Sequence, residues 1–489
     1  MTSLDRIEQP PIAAARRGGL LAVELTETLR LAVPIALTQL GQIAMMTTDL
    51  ALIGRLGDQA VAAAALASTV FFVSFTFGMG LMSAVAPLAA QAFGARDPHQ
   101  VRRALRTGLW AALLISLPIM AFPIFGERIL LFLGQAPATA HLAQQNLLGL
   151  VWGILPSLWF LAIRGFMSAV NRPTPILWIT LVAIPANALL VYLLIHGEWG
   201  LPRLELFGAG LATAIVYSGS FLAGLWFATR RQPFRKYNIL GHIWRVDWSL
   251  MRQLFIIGAP ISFSFLMEYG LFGAAALLMG LISTTALAAH QIALQVTAIL
   301  FMVPFGISMA ATVRVGHAVG RNDASAVKRA GLVATWLGVV LVAALTVAVI
   351  VGRFEIARLF FGEAASSAPE AIELTSTLLL VGATFFVADG IQTIAAGSLR
   401  GMNDTRVPLL FAVISYWLIG FAIAALLGFR TPLGAVGVWI GLSCGTAVYA
   451  TLLVLRFRML TARLSQPDDT AAARVQEARP LTRRTTLLQ

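Results

Sequence analysis

The stretch VPIALTQLGQIAMMTTDLALIGRLG, residues 33–57, returns 226 positions further on as APISFSFLMEYGLFGAAALLMGLIS, residues 259–283. Pro34-Ile35 fall on Pro260-Ile261 and Gly54 on Gly280. The same shift, without a gap, pairs Ala62-Ala63 with Ala288-Ala289, Gly80 with Gly306, Gly94 with Gly320, Asp97 with Asp323, Arg103 with Arg329 and Trp110 with Trp336. A register kept this long is a duplication. Beyond it the offset widens: Leu131-Phe132 meet Leu359-Phe360 at 228, and Arg164-Gly165 meet Arg400-Gly401 at 236, so the insertion falls mostly after Gly362.

Both copies are apolar. The chain of 489 residues is 58% hydrophobic and 12% charged, with mean hydropathy +0.82, which fits hydrocarbon as the main solvent. Runs long enough to cross it lie near 29–53, 62–92, 104–125, 146–167, 174–195, 206–228, 253–281, 286–313, 330–352, 374–398, 407–428 and 433–457. Each copy therefore holds six spans. An even number gives both copies the same orientation, related by a pseudo-two-fold axis along the membrane normal, the arrangement in which a central cavity can open alternately to either side. The expected fold is an all-α integral membrane protein with twelve transmembrane helices in two pseudo-two-fold-related six-helix bundles. Its parts are a tail (1–28), an N-lobe (29–230), a linker (231–252), a C-lobe (253–458) and a polar C-terminal tail (459–489).

Charge placement orients the bundle. Of 35 Lys and Arg, 29 fall on the side of the N-terminal tail and 6 on the other, so both termini are expected to face the cytoplasm. The net charge of +13 does not point to nucleic acid, because the arginines sit in short links rather than on one basic face. A removable signal peptide is not expected, since the first long apolar stretch lacks a small-residue cleavage site. The single Cys444 excludes an internal disulfide, the six histidines are scattered, and neither a Walker-type loop nor an HExxH motif occurs. No cofactor is expected. An enzyme would need a nucleophile, metal ligands or a paired acid and base, and no such constellation is present.

The informative residues are rare charges inside spans. Asp49, Glu268 and Asp389 are the three acids outside tails, loops and span ends. A charge near mid-bilayer costs at least about 2.5 kcal/mol, so these carboxylates should face a cavity and hold or release something positive, with no basic residue at comparable depth. The alternative is a protonated acid that only bonds a neighbouring helix. The duplication places Glu268 opposite Gln42, Asp49 opposite Ala275 and Asp389 opposite Gly153. One copy thus carries one carboxylate and the other two. Secondary candidates are Asn187, which follows Pro185 where a missing amide frees nearby carbonyls, and His290-Gln291, able to relay protons or to make a structural bond.

Residues 33–57 with Asp49, AAHQIA at 288–293 and AAGSLRG at 395–401 after Asp389 resemble the multidrug and toxic compound extrusion (MATE) family, particularly its NorM-like bacterial branch. The likeness spans about residues 25–460. It implies two bundles forming a V in a bacterial inner membrane, a monomer that exports cationic, amphipathic organic compounds against entry of Na⁺ or H⁺. It further implies that Asp49, with Asn187 and Thr213, is the N-lobe site and that Glu268 and Asp389 form the C-lobe cation site, so Na⁺ would sit at one of these two sets. Two departures leave proton coupling open: Phe385 stands where that branch often has Tyr, and Val191 where it often has a second Asn. Each removes an oxygen of the kind hard cations prefer. A flippase for lipid-linked saccharides shares the architecture. It would favour a basic cavity, which three acids without a deep arginine do not make.

Overall fold

A computed structural model describes residues 17–241, 243–362 and 369–465. The outer parts of both expected tails and the segment after Gly362 lie outside them. The N-lobe comprises α1 (Arg17–Ile53), α2 (Asp58–Gly94), α3 (Pro98–Ile124), α4 (Pro137–Ala169), α5 (Thr174–His196) and α6 (Glu205–Arg230). The C-lobe comprises α7 (Trp248–Ile282), α8 (Thr284–Gly320), α9 (Ala324–Phe361), α10 (Pro369–Gly401), α11 (Arg406–Arg430) and α12 (Ala435–Ser465). Eleven of these are long and apolar enough to cross a membrane by composition. α1, with Glu24, Glu27 and Arg30 in its first half, is long enough at 37 residues and completes the twelve.

The duplication is visible in local chemistry. Asp97 caps α3 by accepting from the amides of His99 and Gln100, both at 3.0 Å, and its counterpart Asp323 caps α9 by accepting from Ala326 N at 2.9 Å. Each satisfies amides that a helix start leaves unbonded. Pro34 in α1 and Pro260 in α7 interrupt their ladders at equivalent places. One turn on, Thr38 and its counterpart Ser264 return a hydroxyl to the proline carbonyl, at 2.7 and 2.9 Å.

Three sequence-based expectations need correction. Helix α1 begins at Arg17, so residues 17–28, assigned to the tail, are helical where described. Glu24 is held there by Arg314 of α8, whose Nε and Nη2 donate to its two carboxylate oxygens at 2.9 Å each. The linker is shorter than 231–252, because Asp247 caps α7 through Leu250 N at 3.1 Å. It is also tied down: Arg103 Nε donates to Asp247 at 2.7 Å and Trp110 Nε1 to the Ile243 carbonyl at 2.7 Å. At the other end α12 continues to Ser465, beyond the expected limit of 458. The spans are also irregular. α2 turns at Ser83–Ala84, α4 tightens over Val151–Gly153, and α11 is wound as a π-helix over Val413–Phe421.

The lobes meet at the end that carries the tails, and they meet symmetrically. Gly94 packs on the His317 carbonyl while its counterpart Gly320 packs on the carbonyl of Gln91, the counterpart of His317; a β-carbon at either glycine would overlap that oxygen. Gly80 rests on Ser262, and Gly306 on Ala36, again exchanged counterparts. Residue i touches j and j touches i, as in an isologous dimer interface. Polar bonds follow the pattern by helix, displaced by one turn: Gln91 Nε2 donates to the Gly401 carbonyl at 2.9 Å, and His317 Nε2 lies 2.7 Å from the Ala169 carbonyl, one turn past Gly165, the counterpart of Gly401. A continuous apolar core crosses here, joining Leu31, Leu81 and Phe166 to Leu254, Ile261 and Ile307. Towards the other end the cores separate. Ile53, Ala63, Leu147 and Val191 cluster within the N-lobe, and Leu271, Met279, Ala293 and Trp439 within the C-lobe. The result is a V closed at the tail end.

Candidate functional site

Two polar sites sit inside the apolar bundles, one in each lobe. In the N-lobe, Asp49 lies near the far end of α1. Asn187 of α5 donates its amide to Asp49 Oδ1 in a short hydrogen bond, and Thr213 of α6 donates its hydroxyl to Oδ2 at 3.3 Å. Asn187 is fully buried and Thr213 nearly so. Asn187 Oδ1 is buried without a hydrogen-bond partner, an oxygen left free to meet a cation. Pro185 brings the α5 backbone past this point with one amide missing. Tyr217, one turn beyond Thr213, is close enough to interact with the charge of Asp49. The sequence reading missed it, although the spacing of four on α6 was there to be noticed.

In the C-lobe, Gln392 of α10 holds two acids together. Its Nε2 lies 2.9 Å from Asp389 Oδ1, 3.2 Å from Glu268 Oε1 and 3.2 Å from Thr393 Oγ1. Asp389 and Gln392 are buried, and Glu268 of α7 is half-buried. Gln392, three residues after Asp389 and so on the same helix face, was not singled out from sequence. One amide between two carboxylates cannot neutralise both. A proton, Na⁺ or an organic cation at this place would remove like-charge repulsion that burial strengthens. Asp389, Glu268 and the Thr393 hydroxyl offer oxygens to Na⁺, whereas Phe385 offers only a ring, packed edge-on against Trp439 with centroids 5.8 Å apart.

The other sequence candidates lie apart. His290 is fully buried and accepts from Trp439 Nε1 at 3.1 Å through Nδ1, so the structure gives it an interhelical bond. Gln291 is exposed, and Gln42 is half-buried on α1, seven residues before Asp49. The expectation that no basic residue lies at depth is overturned in the C-lobe. Arg400 is buried with its guanidinium over the Phe265 ring, 5.1 Å from the centroid. That places it about one turn of α7 from Glu268, whose charge it feels. In the N-lobe its counterpart Arg164 donates to Gln39 Oε1 at 2.7 Å. Arg400 falls just outside its expected span, 374–398, and Arg164 three residues from the end of its own, 146–167, so neither was counted at depth.

Twelve spans in two repeated lobes, each with a polar site in an apolar bundle, define a membrane transporter rather than an enzyme. The MatE family model matches residues 34–193 and again 260–426, beginning 226 positions apart. The chain is 68% identical to the "Probable multidrug resistance protein NorM" of Bradyrhizobium diazoefficiens over 467 residues, covering 95% of this chain and 100% of that one. It is 60% identical to the protein of the same name from Rhodopseudomonas palustris over 438 residues, 90% and 92% of the two chains. Its fold matches that of the eukaryotic MATE transporter AtDTX14, with TM-score 0.81 at 20% identity over 91% of this chain and 98% of that one. It likewise matches a MATE solved in complex with MaL6, with TM-score 0.83 at 19% identity over 93% and 100%. The chain belongs to the MATE family.

Proposed function

We propose that this chain is a secondary active multidrug exporter that moves cationic, amphipathic organic compounds out of the cell by alternating access, coupled to entry of Na⁺ or H⁺. The observation that carries this reading is the pair of separate carboxylate sites, Asp49 with Asn187 and Thr213 in one lobe and Glu268 with Asp389 and Gln392 in the other. Each can hold a positive charge inside an apolar bundle. Two sites allow a driving cation and a cargo cation to be held at different places while the lobes open alternately to either side. The arginine-rich tail end is the cytoplasmic end under the positive-inside rule, so a V closed there is open towards the outside. The chain works as a monomer in the bacterial inner membrane and needs no cofactor beyond the coupling ion.

Arg164 and Arg400 do not turn the cavity into a polyanion site. Arg164 is engaged by Gln39, and Arg400 lies about one helical turn from the Glu268 carboxylate rather than in a vacant basic cradle. A saccharide-lipid flippase is thus the weaker reading. Counterflow in proteoliposomes tests the proposal: a Na⁺ gradient and a pH gradient are imposed separately while a fluorescent organic cation is followed. Uptake against its own gradient under one of them supports the exporter. Movement driven by neither would overturn it.

A further inference from the structure

Several arginines in the tail half of this molecule are paired. Arg314 meets Glu24, Arg456 meets Asp404 at 2.8 Å, and Arg103 meets Asp247. Arg164 has the Gln39 carbonyl oxygen. Arg400 differs from these, and the duplication makes the difference legible. Arg164 and Arg400 are counterparts at the shift of 236, and Gln39 and Phe265 are counterparts at 226. The same arginine therefore meets the same place on the first helix of its lobe. In the N-lobe that place offers an amide oxygen. In the C-lobe it offers a ring, which attracts the guanidinium by its face but accepts no hydrogen bond in its plane.

The consequence is a buried cation with donors to spare. Arg400 is 8% exposed, and its Nη1 is buried without a hydrogen-bond partner. A guanidinium so placed is costly unless an anion compensates it. One turn further along α7, Gln42 of the N-lobe is replaced by Glu268, whose carboxylate interacts with the charge of Arg400 without contact. Burial is affordable on both sides only because each charge is partly answered by the other.

We propose that Arg400 is the resident counter-charge of the Glu268–Asp389 pair, a positioning residue that competes with the transported cation for Glu268 and so promotes that cation's release. When the pair is empty, Arg400 stabilises the ionised carboxylates. When a cation occupies it, Arg400 destabilises the loaded state. The N-lobe site has no equivalent, since Arg164 is bonded to Gln39 and the counterpart of Glu268 is Gln42, not an acid. The inference rests on the reading of Glu268 and Asp389 as a cation site.

The test uses the purified full-length protein, with ethidium binding followed by fluorescence and gradient-driven ethidium export measured in proteoliposomes. Arg400→Gln should bind ethidium about tenfold more tightly, the effect of removing one nearby positive charge, and should export it about tenfold more slowly. Arg400→Lys, which keeps the charge, should lie within about twofold of the parent in both. Phe265→Gln leaves Arg400 in place and gives it the partner that Arg164 has. It should shift affinity and rate in the same directions as Arg400→Gln, and it keeps the idea testable if Arg400→Gln does not fold. Weaker binding together with slower export in Arg400→Gln and in Phe265→Gln would make Arg400 a packing residue and overturn the proposal. Glu268→Gln separates the two levels: unchanged binding and export there would sink the cation-site reading itself, whereas loss of export there, with unshifted affinity in the Arg400 and Phe265 variants, would sink only this inference.

Discussion

The tail-end junction and the two polar sites were built from the same duplicated sequence, yet they have diverged to opposite degrees. At the junction, counterparts exchange contacts almost residue for residue: Gly94 with Gly320, Gly80 with Gly306, and Gln91 with His317. At the sites they share nothing but the scaffold. Asp49 stands opposite Ala275, Glu268 opposite Gln42 and Asp389 opposite Gly153. A seal between two lobes is a mutual contact, so a change on one side must be met by the other. A polar site inside one lobe answers only to its own helices, and it was free to specialise.

If specialisation is functional, the largest effects belong to the C-lobe. Asp389→Asn and Glu268→Gln keep shape and the bond to Gln392 while removing charge. Each is expected to insert and fold, yet to reduce gradient-driven export of a fluorescent cation at least a hundredfold in proteoliposomes, the scale of losing a buried charge worth about 3 kcal/mol. Export at the parental rate in both variants would make these acids structural and erase the comparison. The N-lobe should respond more mildly to its neutral partners. Thr213→Val removes one hydrogen bond from Asp49, worth about 1 kcal/mol, and should change the half-saturating concentration of cargo or driving ion about fivefold with little loss of maximal rate.

The junction makes the opposite prediction, of equality. In the state described here, an added methyl group at Gly94 or at Gly320 meets backbone, not a flexible side chain. Overpacking of this kind costs about 1–3 kcal/mol. Gly94→Ala and Gly320→Ala should therefore shift the molecule away from the tail-closed state by similar amounts. Labelling of a cysteine placed at Ser83 or Ser168, both beside the small cavity between the lobes that Arg164 lines, would report the shift from the tail side. A large effect from one glycine and none from the other would show that the pseudo-symmetry is only geometric.

How far the sequence speaks follows the same division. Features that repeat were legible: six spans in each copy, the parallel relation and the pairing of Asp97 with Asp323 all follow from a register held across residues 34–110. Charges that break the repeat were legible too, since Asp49, Glu268 and Asp389 stand alone in apolar runs. What escaped was everything decided by packing between helices. Gln392 is one of many glutamines until α7 brings Glu268 to its amide. Arg400 looks like a loop cation and Arg164 like a span-end one, because hydropathy counts distance along a span and not which face of the helix is buried. The helical extension of α1 back to Arg17 depends on Arg314, nearly 300 residues away, accepting Glu24 as its partner.

The smallest effects should come from the repeated caps, one of which adds a charge-dependent contribution that is present at neutral pH and fades on acidification. Asp97→Ala and Asp323→Ala each strip the side-chain acceptor from the start of a long helix, at a cost of about 1 kcal/mol, and should lower the unfolding midpoint in detergent by similar small amounts. Asp323 carries an additional dependence. Burial pushes its carboxyl up, but the Ala326 amide, Ser325 and the nearby Arg329 and Arg321 outweigh that and hold it below the usual carboxylate range. A carboxyl lowered by folding contributes stability above its ordinary pKa and loses it as pH falls through the lowered one. Asp323→Asn keeps an acceptor for the amide and removes the titration. The difference in midpoint between parent and Asp323→Asn should accordingly be present at neutral pH and shrink as acid protonates the aspartate. A difference that stays constant with pH would assign Asp323 to capping alone.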